Sequence, residues 1–132
     1  MLTAIETALF ASLLAAPDIL AAFSGRLYTL QAPSNIVMPY IVLRHHAGGF
    51  LKNNPRSGID VSYEIACVGE TREDAADGAE LIQAALHNQP LTISSWSHMD
   101  TTGSDWFSDI INVGGEQFYR AGALYRIRAS GI

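Results

Sequence analysis

Residues 59–67 read Ile59-Asp60-Val61-Ser62-Tyr63-Glu64-Ile65-Ala66-Cys67, a strict alternation of apolar with polar or small side chains. Successive side chains of a strand point to opposite faces, so this period of two predicts a half-buried β-strand. Ile59, Val61, Tyr63, Ile65 and Cys67 then line an inward apolar face. Asp60, Ser62 and Glu64 fall on an outward, partly acidic one.

Upstream, Pro39-Tyr40-Ile41-Val42-Leu43-Arg44-His45-His46 is β-branched and aromatic, and predicts a second strand ended by Gly48-Gly49. The connection between the two strands, residues 47–58, exceeds the ~2–5 residues usual for a hairpin. It carries Phe50, Leu51, Lys52, Asn53 and Arg56 among glycine, asparagine and proline, and is expected to be a contact surface. A short strand at 26–30 precedes this hairpin.

Downstream, Thr71 with Asp74 forms a helix-opening capping pair, and Ala75, Ala79, Ile82 and Leu86 share one face of a predicted helix over 71–87. Alanines on the buried side let such a helix approach a sheet closely, while Arg72, Glu73, Asp77, Glu80 and Gln83 form the wet side. The last third predicts strands at 91–98, 108–113 and 118–129, with turns at Gly103 and Gly114-Gly115. In the final strand Tyr119, Ala121, Ala123, Tyr125 and Ile127 face one way. Arg120, Arg126 and Arg128 face the other, with Phe118 and Leu124.

At the amino end, Leu2, Ile5, Leu9 and Leu13 form a stripe with Phe10 and Leu14 beside it, which predicts an amphipathic helix over 3–16 opened by Thr3 and Glu6. Pro17-Asp18 interrupts it, and a short helical piece follows until Ser24-Gly25. Runs of strands around only two long helices predict an α+β fold: a mostly antiparallel sheet with the two main helices packed on one face. A chain of 132 residues fits a single domain, 1–132.

Composition narrows the function. With 48% hydrophobic and only 16% charged residues, the chain has more apolar side chains than a core this small needs, which points to subunit contacts. No apolar run is long enough to span a bilayer, and the first residues lack the features of a secretory signal, so no membrane partner is expected. The single Cys67 permits no intrachain disulfide. A net charge of −5 argues against a protein that grips DNA.

A metal site built from His45, His46, His98 and Asp100 is the best enzymatic candidate, because imidazole and carboxylate are sound zinc ligands. Neighbouring strand residues point apart, so His45 and His46 cannot converge on one ion without a bulge. Cys67 lies on an inward face, where a thiol is inert packing, and no Gly-x-Ser-x-Gly elbow is present. The glycine pairs lack the Lys-Ser/Thr ending of a phosphate loop. No catalytic residue, cofactor or metal is expected. The arginine stripe suits a protein partner better than nucleic acid. Trp96 and Trp106 suit either a folded-over loop or an interface anchor.

Taken in order, the amphipathic first helix, Gly25-Arg26-Leu27-Tyr28, Pro39-Tyr40-Ile41-Val42, the alternating strand, the alanine-rich helix ending Ile82-Gln-Ala-Ala-Leu-His87 and the arginine-bearing last strand resemble the tail terminator (tail completion) proteins of long-tailed phages and phage-like particles. The residues 101–109 depart from that pattern by inserting a polar stretch before the final hairpin. The resemblance implies a structural virion protein that forms a ring, usually a homohexamer, on the tail tube, stops tube polymerisation and offers a joining surface to the head-side connector. The implied partners are further copies of itself, the tube protein and the connector or adaptor, and DNA passes through the bore without specific binding. Six copies at −5 each would carry −30, repelling phosphate. The alternatives are a head-side neck adaptor, or a small α+β enzyme or ligand-binding domain.

Overall fold

The alternating segment is the central strand of a five-stranded sheet in the computed structural model, which describes residues 2–29, 38–50, 58–93, 96–113 and 115–131. In chain order the elements are α1 (Leu2–Ala15), α2 (Pro17–Phe23), β1 (Leu27–Thr29), β2 (Tyr40–Phe50), β3 (Gly58–Gly69), α3 (Arg72–Leu86), β4 (Trp96–Val113) and β5 (Glu116–Gly131). The sheet order is β1-β2-β3-β5-β4. Only the short β1–β2 pair is parallel; the other neighbours are antiparallel. This is the α+β architecture predicted from the sequence.

The inward residues of β3 are all buried, and they meet Ile41 and Leu43 of β2 and Ala123, Tyr125 and Ile127 of β5 in the main core. The helices cover this face. From α1 come Ile5, Leu9 and Leu13, from α2 Ile19 and Phe23, and from α3 Ile82 and Leu86. Leu14, placed beside the α1 stripe by its spacing, is instead 43% exposed. The opposite face of the sheet has a smaller cluster in which Tyr40, Val42 and Val68 are buried against Tyr28, Met38, Ile111 and Phe118.

Thr71 caps α3 as expected, its hydroxyl accepting from the Asp74 N–H at 3.1 Å. Alanine-level approach is taken further at Gly78. A Cβ there would lie 2.8 Å from Cys67 Cβ and 3.0 Å from Phe23 Cζ, so glycine is what lets α3 seat on β3 and α2. Ser24 ends α2 in the left-handed conformation, with Gly25 following at φ +80°. Thr3 does not cap α1, because the helix already includes Leu2 and Thr3 lies within its first turn.

Two strand assignments change. Gly48-Gly49 does not end β2: after a bulge at His46 the ladder continues through Gly48↔Val61 and Gly49↔Asp60 to Phe50↔Ile59. β2 therefore runs on to Phe50, within the 47–58 stretch expected as connection, and β3 begins at Gly58. In the last third, the predicted strand at 91–98 and the turn at Gly103 give way to one strand, β4, paired along almost all of β5. Leu91 and Ile93 are buried before β4 begins, Ile93 making only an isolated bridge to Trp96.

The cause is a pair of bulges. Met99 is an extra residue between His98↔Ala129 and Asp100↔Arg128, and Asp105 with Trp106 stand opposite Ala123 alone. Each insertion resets the two-residue alternation, so residues 100–109 lose the pattern by which a strand is recognised. Gly103, inside the strand, leaves room for Gln83 and Tyr125, whose atoms would crowd a Cβ.

Candidate assembly surface

The outer face of β3, β5 and β4 is a ladder of charge pairs. Arg126 grips Asp60 with both prongs of its guanidinium, at 2.8 and 2.5 Å. Arg128 does the same to Asp100, its directly opposed neighbour on β4. Arg120 grips Asp109 at 3.0 and 2.7 Å, reaches Glu64 at 3.0 Å and lies over the Phe107 ring. Gly122, between Arg120 and Leu124 on that face, has no side chain to obstruct the reach to Glu64, and a Cβ there would press on Ala66.

These contacts fix the ionisation. The arginine hydrogen bonds hold the Asp60, Asp100 and Asp109 carboxyls below their ordinary range, and raise Arg120, Arg126 and Arg128 in turn. Two-pronged pairing also sets the planes of the side chains, giving a face of ordered, mutually neutralised charge. All three arginines singled out in the sequence thus share one face, with their charge met by carboxylates of the adjoining strands. Phe50 ends β2, while Leu51, Lys52, Asn53 and Arg56 lie outside the described residues.

The metal candidates do not converge. His98 accepts the Leu91 N–H on Nδ1 at 3.3 Å, which leaves its proton on Nε2 to donate to Thr101 Oγ1 at 2.7 Å. Asp100, one bulge further on, points to the opposite face and Arg128. His45 donates from Nε2 to the Gly48 carbonyl at 3.1 Å and packs edge-on to Tyr63. Among the described residues no group of three His, Cys, Asp or Glu side chains is placed to hold a metal ion. Cys67 is fully buried, and burial pushes its thiol up to about 12.

One surface was not legible in the sequence. Between α3 and β4 runs a groove of about 330 Å³, lined by Arg72, Ala76 and Glu80 on the helix side, with Ala121 and Trp106 opposite. Trp106 is 51% exposed and is placed there by the bulge it shares with Asp105, whose φ is +53°. Trp96, by contrast, is partly buried and packs against the main core.

A family model described as "Tail completion protein gp17" matches residues 7–110 of this sequence. The chain belongs to that family. Tail completion proteins of this kind are structural proteins of a phage-type tail, so the paired-charge face and the groove are surfaces of a virion component. Among solved structures, the tail completion fold seen here superimposes on a chain from "Virion of native gene transfer agent (GTA) particle" with a TM-score of 0.79. At 16% identity, and with 98% of this chain and 96% of that one covered, the likeness is one of fold. No curated protein matches the sequence.

Proposed function

We propose that this tail completion protein is a tail terminator: a ring, a homohexamer, seated on the end of the tail tube, which stops tube polymerisation and presents a joining surface to the head-side connector. The observation that carries the reading is the near end-to-end correspondence with a chain that occurs in an assembled gene transfer agent virion, together with family membership over residues 7–110. Leu20, Trp106 and Ile110, each more than half exposed, are apolar surface that assembly would cover.

In this reading the interface uses Phe50, Leu51, Lys52, Asn53 and Arg56 at the β2–β3 connection, and Arg120, Arg126 and Arg128 on the outer sheet face. The pairing of those three arginines with carboxylates favours a protein partner over phosphate, since a cation already held by two oxygens neutralises little DNA charge. DNA would pass a bore of net negative charge without sticking.

Deleting the gene and measuring tails by electron microscopy tests this directly. Overlong or ragged tubes are expected, and purified protein should show rings with a mass of six copies of 14.3 kDa, about 86 kDa. Tails of normal length that fail to join heads would instead identify a head-side neck adaptor.

A further inference from the structure

We propose that the α3–β4 groove receives the β2–β3 connection of a second copy of this chain, so that subunits join head to tail; the inference rests on the ring reading and names its contact. The groove has the form of a receptor for a small apolar side chain. Ala76 and Ala79 leave a shallow floor on α3, and Trp106, turned out of the β4 ladder by its bulge, forms a wall. Tryptophan in such a position supplies a large area at little entropy cost and is a frequent binding anchor.

Charge selects the occupant. Glu80 lines the groove, and Glu73 and Asp77 stand on the adjoining exposed stripe of α3; none of the three has an ion-pair partner among the described residues. Among the described residues Arg72 is the one cation lining the groove. The segment 51–57, Leu-Lys-Asn-Asn-Pro-Arg-Ser, carries two cations and no acid, with Leu51 as its apolar side chain. On the sheet itself, Arg120, Arg126 and Arg128 are committed to carboxylates of their own chain.

Geometry requires that the occupant come from another copy. The connection leaves the sheet where Ile59 pairs with Ala129, whereas the groove lies at Ala121, opposite Cys67. Eight residues of strand separate those positions, roughly 26 Å. No residue of 51–57 is more than four residues from Phe50 or Gly58, so the segment extends at most about 14 Å from its anchors. The anchors of the connection and the groove thus lie toward opposite ends of one subunit, farther apart than the segment can reach. Two different surfaces that mate in trans make a heterologous contact, the kind that closes into rings.

The test is thiol crosslinking in the assembled protein. Asn53→Cys, in the connecting segment, and Ala76→Cys, on the exposed side of α3, are introduced together, while Cys67 is buried and does not compete. A short bifunctional thiol reagent should give a ladder of multimers from purified protein, and from isolated tails, with either single variant at least about tenfold weaker. Adding Lys52→Glu and Arg56→Glu should lower the yield about tenfold, and Glu80→Lys should restore part of it. Rings in micrographs without a ladder would overturn the groove contact and leave the ring reading standing. A ladder without rings would support the contact and overturn the ring. Absence of both, in protein and in tails, would overturn both.

Discussion

Arg128 and Asp100 face each other across β5 and β4 at directly opposed positions, joined by both prongs of the guanidinium. Their meeting depends on Met99, the extra residue that turns Asp100 to the outer face while His98 stays inward beside Thr101. The same face carries two more two-pronged pairs, Arg120–Asp109 directly across β5 and β4, and Arg126–Asp60 diagonally across β5 and β3. Three strands are therefore cross-linked by charge on the side of the sheet opposite α1, α2 and α3.

Stability should fall in acid for this reason. Asp60, Asp100 and Asp109 have folded-state pKa values below their unfolded ones, so their contribution is fully present above the ordinary carboxylate pKa of roughly 4 and is lost as the pH falls through the lowered values. Melting temperature measured from pH 7 downward should be flat at first and then drop below about pH 4. Asp109→Asn should lower the plateau by a few degrees and flatten the drop, since among the described residues Arg120 would keep only Glu64 as its ion-pair partner.

Gly78→Ala should destabilise, although alanine in a helix interior is ordinarily favoured by about 1 kcal/mol. The added methyl meets Cys67 and Phe23 in a filled core, and overpacking of that kind costs roughly 1–3 kcal/mol. Urea denaturation of Gly78→Ala, Cys67→Ala and the double variant forms a cycle. The double variant should be more stable than the sum of the single effects, and strict additivity would contradict the packing account.

The two buried tyrosines should respond in opposite ways to loss of the hydroxyl. Tyr125 donates to Gln83 Oε1 at 3.0 Å, whereas the Tyr63 hydroxyl is buried with no hydrogen-bond partner among the described residues. Tyr125→Phe should cost about 1 kcal/mol, and Tyr63→Phe should be neutral or stabilising by a similar amount. Equal losses in chemical denaturation would contradict this assignment.

Cys67 should be unreactive in the folded protein. Its thiol is wholly buried and pushed up to about 12, so at pH 8 little thiolate exists and none is accessible. A chromogenic disulfide reagent should detect one thiol per chain in denaturant and almost none without it. Rapid stoichiometric labelling of native protein would show that α3 does not stay seated on β3.

Local pattern determined much of this protein by itself. The alternation at 59–67 placed β3 and chose its buried face, the Ala75, Ala79, Ile82 and Leu86 spacing placed α3, and Thr71 marked where α3 starts. In each case the signal is carried by neighbours along the chain, in a period set by backbone geometry. The ordered motifs also pointed to the tail completion family, and the arginines of β5 to one shared face. Only tertiary structure decided the rest. β4 is a strand because β5 offers it a partner along its length, and its bulges erase the alternation that would reveal it. Gly48 and Gly49, which read as a turn, stay in β2 because β3 supplies their ladder. The acids that neutralise Arg126 and Arg128 lie 66 and 28 residues away in sequence, and the groove beside Trp106 exists only where α3 crosses β4. Pairing across such separations is settled by the register of the whole sheet, which no local window contains.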